Sequence, residues 1–328
     1  MKLLVTGGLG FIGSNFILKL LNNDENVKIT NVDAELTGSH HGNLKLIQNH
    51  KNYNFVKANI TNRRLMEDLI ADCDLVVNFA AESFVDRSIS NVDPFLVSNV
   101  RGAYTILDII TKQKKRMIHI STDEVFGSLE SGKANEEKNF NPSNPYAATK
   151  ASAELLIKSY INTYDSDVII TRCTNNFGPR QFPEKLIPKI ILLAKQDKKI
   201  PIYGDGKNIR DWIYVDDHCA AIHDVILKGK TKQTYNISAN NEISNLEIVN
   251  KILKIMDKSE DLIEFVDDRP GHDFRYSLDS SKINHELNWS AKINFEIGIK
   301  KTVDWYTENL EWVNSVPTNV LESTPWKN

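Results

Sequence analysis

The chain has 328 residues, 41% hydrophobic and 25% charged, with a formal net charge of −3. These values lie near the soluble globular average and exclude disordered and fibrous classes, and the length allows a large core divided into two domains. The slight acidity argues against a general nucleic-acid binder and no apolar run reaches bilayer length, so neither nucleic acid nor membrane is an expected partner.

The three cysteines, Cys73, Cys173 and Cys219, are far apart and show no C-x-x-C spacing. That fits structural thiols in a reducing compartment better than disulfides or a metal site. The eight histidines form no ligand pattern, and no metal is expected. Residues 1–6 run straight into a glycine loop, which leaves no room for a leader; a cytoplasmic protein is the expectation.

In chain order, short apolar runs at 2–6, 28–32, 54–56, 75–79, 117–121 and 168–173 read as strands. Helical patterns fall between them at 14–21, 63–71, 99–112 and 147–164. This alternation predicts an α/β fold, a Rossmann-like doubly wound parallel sheet with ligands at the carboxyl ends of its strands. Past Cys173 comes a loop at 174–183 rich in Asn, Pro and Gly. It is followed by a helix at 185–196, a strand at 199–203, a segment at 210–215, a helix at 217–227, a strand at 234–237 and a helix at 246–256. These predict a smaller mixed α/β substrate-binding domain. The expected division is 1–174 for the dinucleotide domain with returning segments near 211–238, then 175–210 and 239–316 for the substrate domain. Residues 317–328 remain as a tail in which Trp326 favours docking.

Thr6-Gly7-Gly8-Leu9-Gly10-Phe11-Ile12-Gly13 places glycines at 7, 10 and 13 directly after a strand and opening a helix. Missing side chains there permit a tight turn and close backbone approach to a pyrophosphate, which the helix N-terminus also favours. Asp33, at the end of the second strand, can accept hydrogen bonds from ribose hydroxyls and repels a 2′-phosphate, so NAD is expected over NADP. The glycine spacing is that of short-chain dehydrogenase-type enzymes, for which Tyr146-x-x-x-Lys150 is the matching pair. Ser143-Asn144-Pro145 provides a helix cap and a first-turn proline, setting Tyr146 and Lys150 one turn apart on one face. A nearby ammonium is expected to lower the phenol's pKa. Thr122, Asp123 and Glu124 follow the fifth strand at the same edge of the sheet. Two adjacent carboxyls there can divide into a neutral acid and an ionised base.

A set of dispersed motifs then becomes specific: Phe79-Ala80-Ala81-Glu82-Ser83, Val85-Asp86-Arg87-Ser88-Ile89, Ser121-Thr122-Asp123-Glu124-Val125, Phe182-Pro183-Glu184-Lys185-Leu186-Ile187-Pro188, Pro201-Ile202-Tyr203-Gly204, Arg210-Asp211-Trp212 and Asp268-Arg269-Pro270-Gly271-His272-Asp273. On these residues the chain resembles the nucleotide-sugar branch of extended short-chain dehydrogenases, most closely the dTDP-glucose 4,6-dehydratases, over nearly its whole length. The resemblance implies oxidation of the sugar at C4 by NAD with Tyr146 as base, loss of water across C5 and C6 with Glu124 as base and Asp123 as acid, and hydride return to C6. Thr122 would bond the C4 oxygen and Lys150 would orient the cofactor.

It further implies that NAD lies against Gly7, Gly10, Phe11, Ile12 and Gly13, reaches Asp33, Asn59 and Ile60 at its adenosine end, and passes Ala80, Ala81 and Asn99 toward Tyr146 and Lys150. The nucleotide sugar would meet Glu82 and Thr122, then Asn176, Lys185 and Leu186. Arg210 and Arg269 would hold its phosphates, with Asn245 and His272 nearby and Pro201 and Tyr203 at the base. A homodimer through the helices at 99–112 and 147–164 is also implied.

Three departures from the family pattern stand out. Phe84 replaces a more usual histidine, the loop at 34–43 is longer than usual, and Asn59 stands in for an aspartate facing adenine. Related 4-epimerases and UDP-glucuronate decarboxylases share fold and cofactor, and Asp123 argues against both because neither expels hydroxide. A dehydratase of UDP-glucose remains compatible with the same motifs. A non-catalytic cofactor sensor would also keep the fold, but the intact Thr122, Asp123, Glu124, Tyr146 and Lys150 argue against it.

Overall fold

The computed structural model describes residues 1–321. Runs such as Leu3-Leu4-Val5 are buried on both faces, as strands in the middle of a parallel sheet must be. The chain opens with β1 (Lys2–Thr6), α1 (Phe11–Asn23), β2 (Lys28–Asp33), β3 (Tyr53–Lys57), α2 (Arg63–Ala71) and β4 (Leu75–Asn78). It continues through α3 (Val85–Ser90), the single turn α4 (Asp93–Phe95), α5 (Ala103–Gln113), β5 (Arg116–Thr122), α6 (Pro145–Tyr164) and β6 (Val168–Cys173). The expected helix at 99–112 begins instead within a π-helical turn, Leu96–Gly102, that leads into α5.

The second half contains β7 (Asn175–Phe177), α7 (Leu186–Lys195), β8 (Ile200–Tyr203), β9 (Ile209–Tyr214), α8 (Val215–Lys228), β10 (Thr234–Ile237), β11 (Glu242–Ser244), α9 (Asn245–Ile255) and β12 (Ile263–Val266). Three helices follow, α10 (Ser281–Leu287), α11 (Phe295–Glu308) and α12 (Leu310–Ser315).

Seven strands form one sheet in the order β10-β6-β5-β4-β1-β2-β3, with every pair parallel. The order reverses between β1 and β4, and a crevice opens at the carboxyl ends there. One face of the sheet is covered by α1 and α8 through Phe16, Ile17, Leu20, Ile222 and Val225. The other is covered by α2, α5 and α6 through Met66, Ile70, Ile106, Leu107, Ile110 and Ile157. Beyond the sheet's carboxyl ends lie a three-stranded sheet, β11-β9-β7, and a two-stranded one, β12-β8, packed with α7, α9 and α11 around a second core.

Two features hold the crevice in shape. Arg172 on β6 pairs with Glu154 on α6 at 2.7 Å, both fully buried, with the guanidinium 4.8 Å from the Phe126 ring. A desolvated pair of this kind persists because its hydrogen bonds are satisfied, here by two carboxylate oxygens and the Glu136 carbonyl. At the other end, Trp312 of α12 donates to Asn43 at 2.7 Å, and Asn43 donates to the Leu9 carbonyl at 2.8 Å. α12 is thereby anchored to the glycine loop, and beyond it Val316, Val320 and Leu321 are buried. Trp326, expected to dock, lies outside the described residues.

Candidate active site

A cavity of about 450 Å³ lies over the switch point. Its floor begins at the glycine loop. Gly7 has φ +71, and a Cβ there would lie 2.7 Å from the backbone of Ala80; at Gly13 it would lie 2.5 Å from the Gly7 carbonyl oxygen. Side chains are thus excluded where β1, β4 and α1 converge, and bare backbone faces the cavity above the N-terminus of α1. Asp33 closes the adjacent edge: Leu9 N–H donates to it at 3.0 Å, Glu35 N–H at 2.8 Å and the Ser39 hydroxyl at 2.7 Å. A glycine cradle beside a carboxylate at the end of β2 fits a dinucleotide with free ribose hydroxyls.

The chemistry-bearing groups stand at the end of β5. Thr122 is the last residue of the strand and caps the short 3₁₀ turn Asp123–Phe126, its hydroxyl accepting from Glu124 N–H at 3.3 Å and donating to Asp123 Oδ1 at 3.1 Å. The turn forces the two carboxyls off the sheet edge in succession. Asp123 is 4% exposed and its Oδ2 has no partner among the described residues. Burial first, then the neighbouring Glu124, push its pKa well above the usual carboxylate value, so a neutral acid is the favoured form. Glu124 Oε2 accepts from Asn144 Nδ2 at 3.3 Å.

That same Asn144 caps α6 through Ala147 N–H at 2.9 Å, with Pro145 in the first turn, so one residue orients both the helix and the carboxylate. Tyr146 and Lys150 follow one turn apart and line the cavity. Burial and then Glu124 hold the Tyr146 phenol well above its ordinary pKa, while a hydrogen bond to Thr122 acts the other way. Lys150 is not among the largest influences on the phenol. Its ammonium donates to the Ile120 carbonyl at 2.7 Å, and burial lowers its own pKa to about 8. In this arrangement Thr122 is the group that favours the phenolate.

The facing wall comes from the second core. Arg210 donates to the carbonyls of Ile209 and Asp273, both at 2.8 Å, and lies 4.3 Å from the Tyr276 ring. Arg269 pairs with Asp86 at 2.6 Å, while its Nε is buried with no partner among the described residues. The Tyr203 hydroxyl donates to the other oxygen of Asp86 at 3.1 Å, and His272 meets Asp268 at 2.6 Å. Two guanidiniums set beside an aromatic face suit a diphosphate joined to a base.

Every residue predicted to bind or react lines this cavity except Asn99. Glu82, Asn176, Lys185, Leu186, Pro201 and Asn245 are among those brought together. Asn99, expected at the cofactor, stands behind the wall: its amide accepts from Glu82 N–H at 2.8 Å and donates to the Glu82 carbonyl at 3.0 Å and to Thr149 at 2.9 Å. It positions the Glu82 backbone. Asn59 lines the cavity, but the oxygen expected to meet adenine already accepts from Thr61 N–H at 2.9 Å and the Thr61 hydroxyl at 2.8 Å.

Asn176 likewise has its amide engaged, accepting from His218 at 2.8 Å and donating to the Thr174 carbonyl at 2.9 Å. Its neighbour Asn175, which no sequence motif singles out, lines the cavity with a buried amide oxygen that has no partner among the described residues. Tyr276 also lines it without a sequence signal, since its loop carries no periodic pattern.

A family model described as GDP-mannose 4,6 dehydratase matches residues 4–302. The low-salt glycan biosynthesis protein Agl12 of Haloferax volcanii is 49% identical, over 93% of this chain and 98% of that protein. A dTDP-glucose 4,6-dehydratase of Streptomyces niveus is 42% identical, over 95% and 94% of the two chains. Among solved structures, a dTDP-glucose 4,6-dehydratase of Bacillus anthracis in complex with NAD superposes with a TM-score of 0.90 at 46% identity, covering 95% of this chain and 98% of that one. With almost its full length accounted for by that family model and by relatives this similar, the chain belongs to the GDP-mannose 4,6 dehydratase family, on the branch that holds the dTDP-glucose 4,6-dehydratases.

Proposed function

We propose that this protein is an NAD-dependent dTDP-glucose 4,6-dehydratase, forming dTDP-4-keto-6-deoxyglucose and water. The observation that carries the reading is the placement of a buried Asp123 carboxyl beside Glu124 at the end of β5, because expulsion of hydroxide from C6 requires a positioned acid. Bound NAD supplies the hydride acceptor at the start of the cycle and the hydride donor at its end. Gly7, Gly10 and Gly13 would cradle its pyrophosphate, with Asp33 at a ribose and Lys150 beside Tyr146.

Tyr146 takes the proton from the sugar's C4 hydroxyl as C4 is oxidised, and Thr122 steadies the oxygen. The resulting 4-ketone acidifies the C5 proton, which Glu124 removes. Asp123 protonates the C6 hydroxyl, the C6–O bond breaks and water leaves. Glu124, its proton exchanged with solvent, protonates C5 as C6 is reduced, and exchange with solvent returns Tyr146 and Asp123 to their starting protonation states, so every group is restored. Arg210 and Arg269 would hold the diphosphate, with Pro201 and Tyr203 against the thymine.

A 4-epimerase or a decarboxylase has no use for a neutral acid at C6. Incubation with dTDP-glucose and with UDP-glucose tests the reading through the mass of the product: loss of one water from dTDP-glucose without net NADH supports it, and an isobaric product contradicts it. We also read the enzyme as a cytoplasmic homodimer. Three free, buried cysteines support the compartment, and exposed Tyr104, Leu155 and Tyr164 on α5 and α6 support an interface there.

A further inference from the structure

Phe84, one departure from the family pattern, and the long loop at 34–43, another, meet in space. Phe84 is 6% exposed and lines the cavity just before α3. Gly38, at φ +91, lies so near that a Cβ on it would sit 3.3 Å from Phe84 Cε2, and Phe182 packs edge-on at 5.8 Å from the other part of the molecule. The ring also faces two cations, the Lys185 ammonium at 4.5 Å from its centroid and the Arg87 guanidinium at 5.6 Å.

The two cations differ in what else holds them. Arg87 is clasped by both oxygens of Glu184, at 2.7 to 3.0 Å. Lys185 has no carboxylate partner among the described residues; its ammonium donates instead to the Ser83 carbonyl at 2.6 Å. A half-buried ammonium that Glu124, Glu184 and Asp86 act on only from a distance still needs its remaining sides satisfied, and an aromatic face does this through its quadrupole while adding no acceptor that would compete for a ligand. Carbonyl and ring together leave part of the Lys185 ammonium uncommitted at the cavity wall.

We infer that Phe84 is a positioning residue for substrate binding, its ring face holding the Lys185 ammonium charged and aimed at the nucleotide sugar while its edge seats the loop at Gly38. The inference rests on the dehydratase reading, in which Lys185 contacts substrate. Phe84 takes over by electrostatics what a polar side chain there would do by hydrogen bonding.

The test replaces Phe84 with phenylalanines bearing one, two and three ring fluorines, which weaken the quadrupole with little change of shape. We expect KM for dTDP-glucose to rise stepwise, reaching roughly tenfold with three fluorines, while kcat stays within about twofold. Phe84→Leu should give a similar rise and Phe84→Trp should recover most of it. A KM that does not change along the fluorine series, or a kcat that falls while KM holds, overturns the role of the ring. Failure of the unmodified protein to turn over any nucleotide hexose would overturn the underlying reading instead, before any variant is made.

Discussion

Asp123 and Glu124 are neighbours of like charge, yet their surroundings differ. Asp123 points into the protein with one oxygen unpartnered among the described residues, whereas Glu124 is met by the amide of Asn144. Burial first, then the charge of Glu124, raises the pKa of Asp123 and favours its protonated form. We expect Asp123→Asn and Glu124→Gln to leave C4 oxidation largely intact, so that bound NADH becomes visible by absorbance, and to slow water loss by roughly 10²- to 10⁴-fold. Unchanged dehydration in both variants would remove them from the mechanism. The proposed reacting residues are legible in the sequence because Asp123 and Glu124 directly follow a strand that Thr122 ends, and Tyr146 and Lys150 lie one turn apart in a helix opened by Asn144 and Pro145. The placements of Asn99 and Asn175 are not. Whether an amide faces a cavity or a neighbouring backbone depends on side-chain partners distant in sequence, such as Thr149 for Asn99.

At the scale of elements, the parallel strands and flanking helices of the first half match their periodic patterns, and the second half is harder to read. α11 is hidden in the sequence although its buried residues Phe295, Gly298, Ile299, Thr302, Val303 and Tyr306 recur at helical spacing. Two members of that stripe, Gly298 and Thr302, do not register as apolar. Gly298 is there because a Cβ would lie 2.8 Å from the Phe177 ring, a packing demand that overrides helix propensity. The short strands β7, β11 and β12 pair with partners remote in sequence, which periodicity cannot reveal. On α6, Leu155 is 57% exposed. We expect sedimentation to give a dimer for the native chain and a shift toward monomer for Leu155→Glu, with the isolated fold hardly destabilised. A Leu155→Glu protein that remains fully dimeric would move the interface elsewhere.

Across the whole molecule, the glycine loop, the β5 edge and the second core are joined by buried polar links, and one of these makes stability depend on pH. His218 is fully buried against Asn176, and burial lowers its pKa from 6.5 to about 3. Above pH 6.5 the ring is neutral in both folded and unfolded chains, and below pH 3 it is charged in both. Between these values only the unfolded chain takes up the proton, so stability falls as pH drops through that window. Replacing the histidine by Gln removes this contribution. We expect the urea midpoint of His218→Gln to depend less on pH between about 6.5 and 4 than that of the parent, and equal dependence would contradict the assignment.

In the proposed mechanism, Asp123 as acid and Glu124 as base at the end of β5 are what make this site a dehydratase. Their most direct test is dehydration of dTDP-glucose in deuterated water, followed by mass spectrometry and absorbance at the NADH band. A product lighter by one water, carrying one deuterium at C5 and formed without net NADH, is the expected outcome. A product of unchanged elemental composition, or stoichiometric accumulation of NADH, would contradict it.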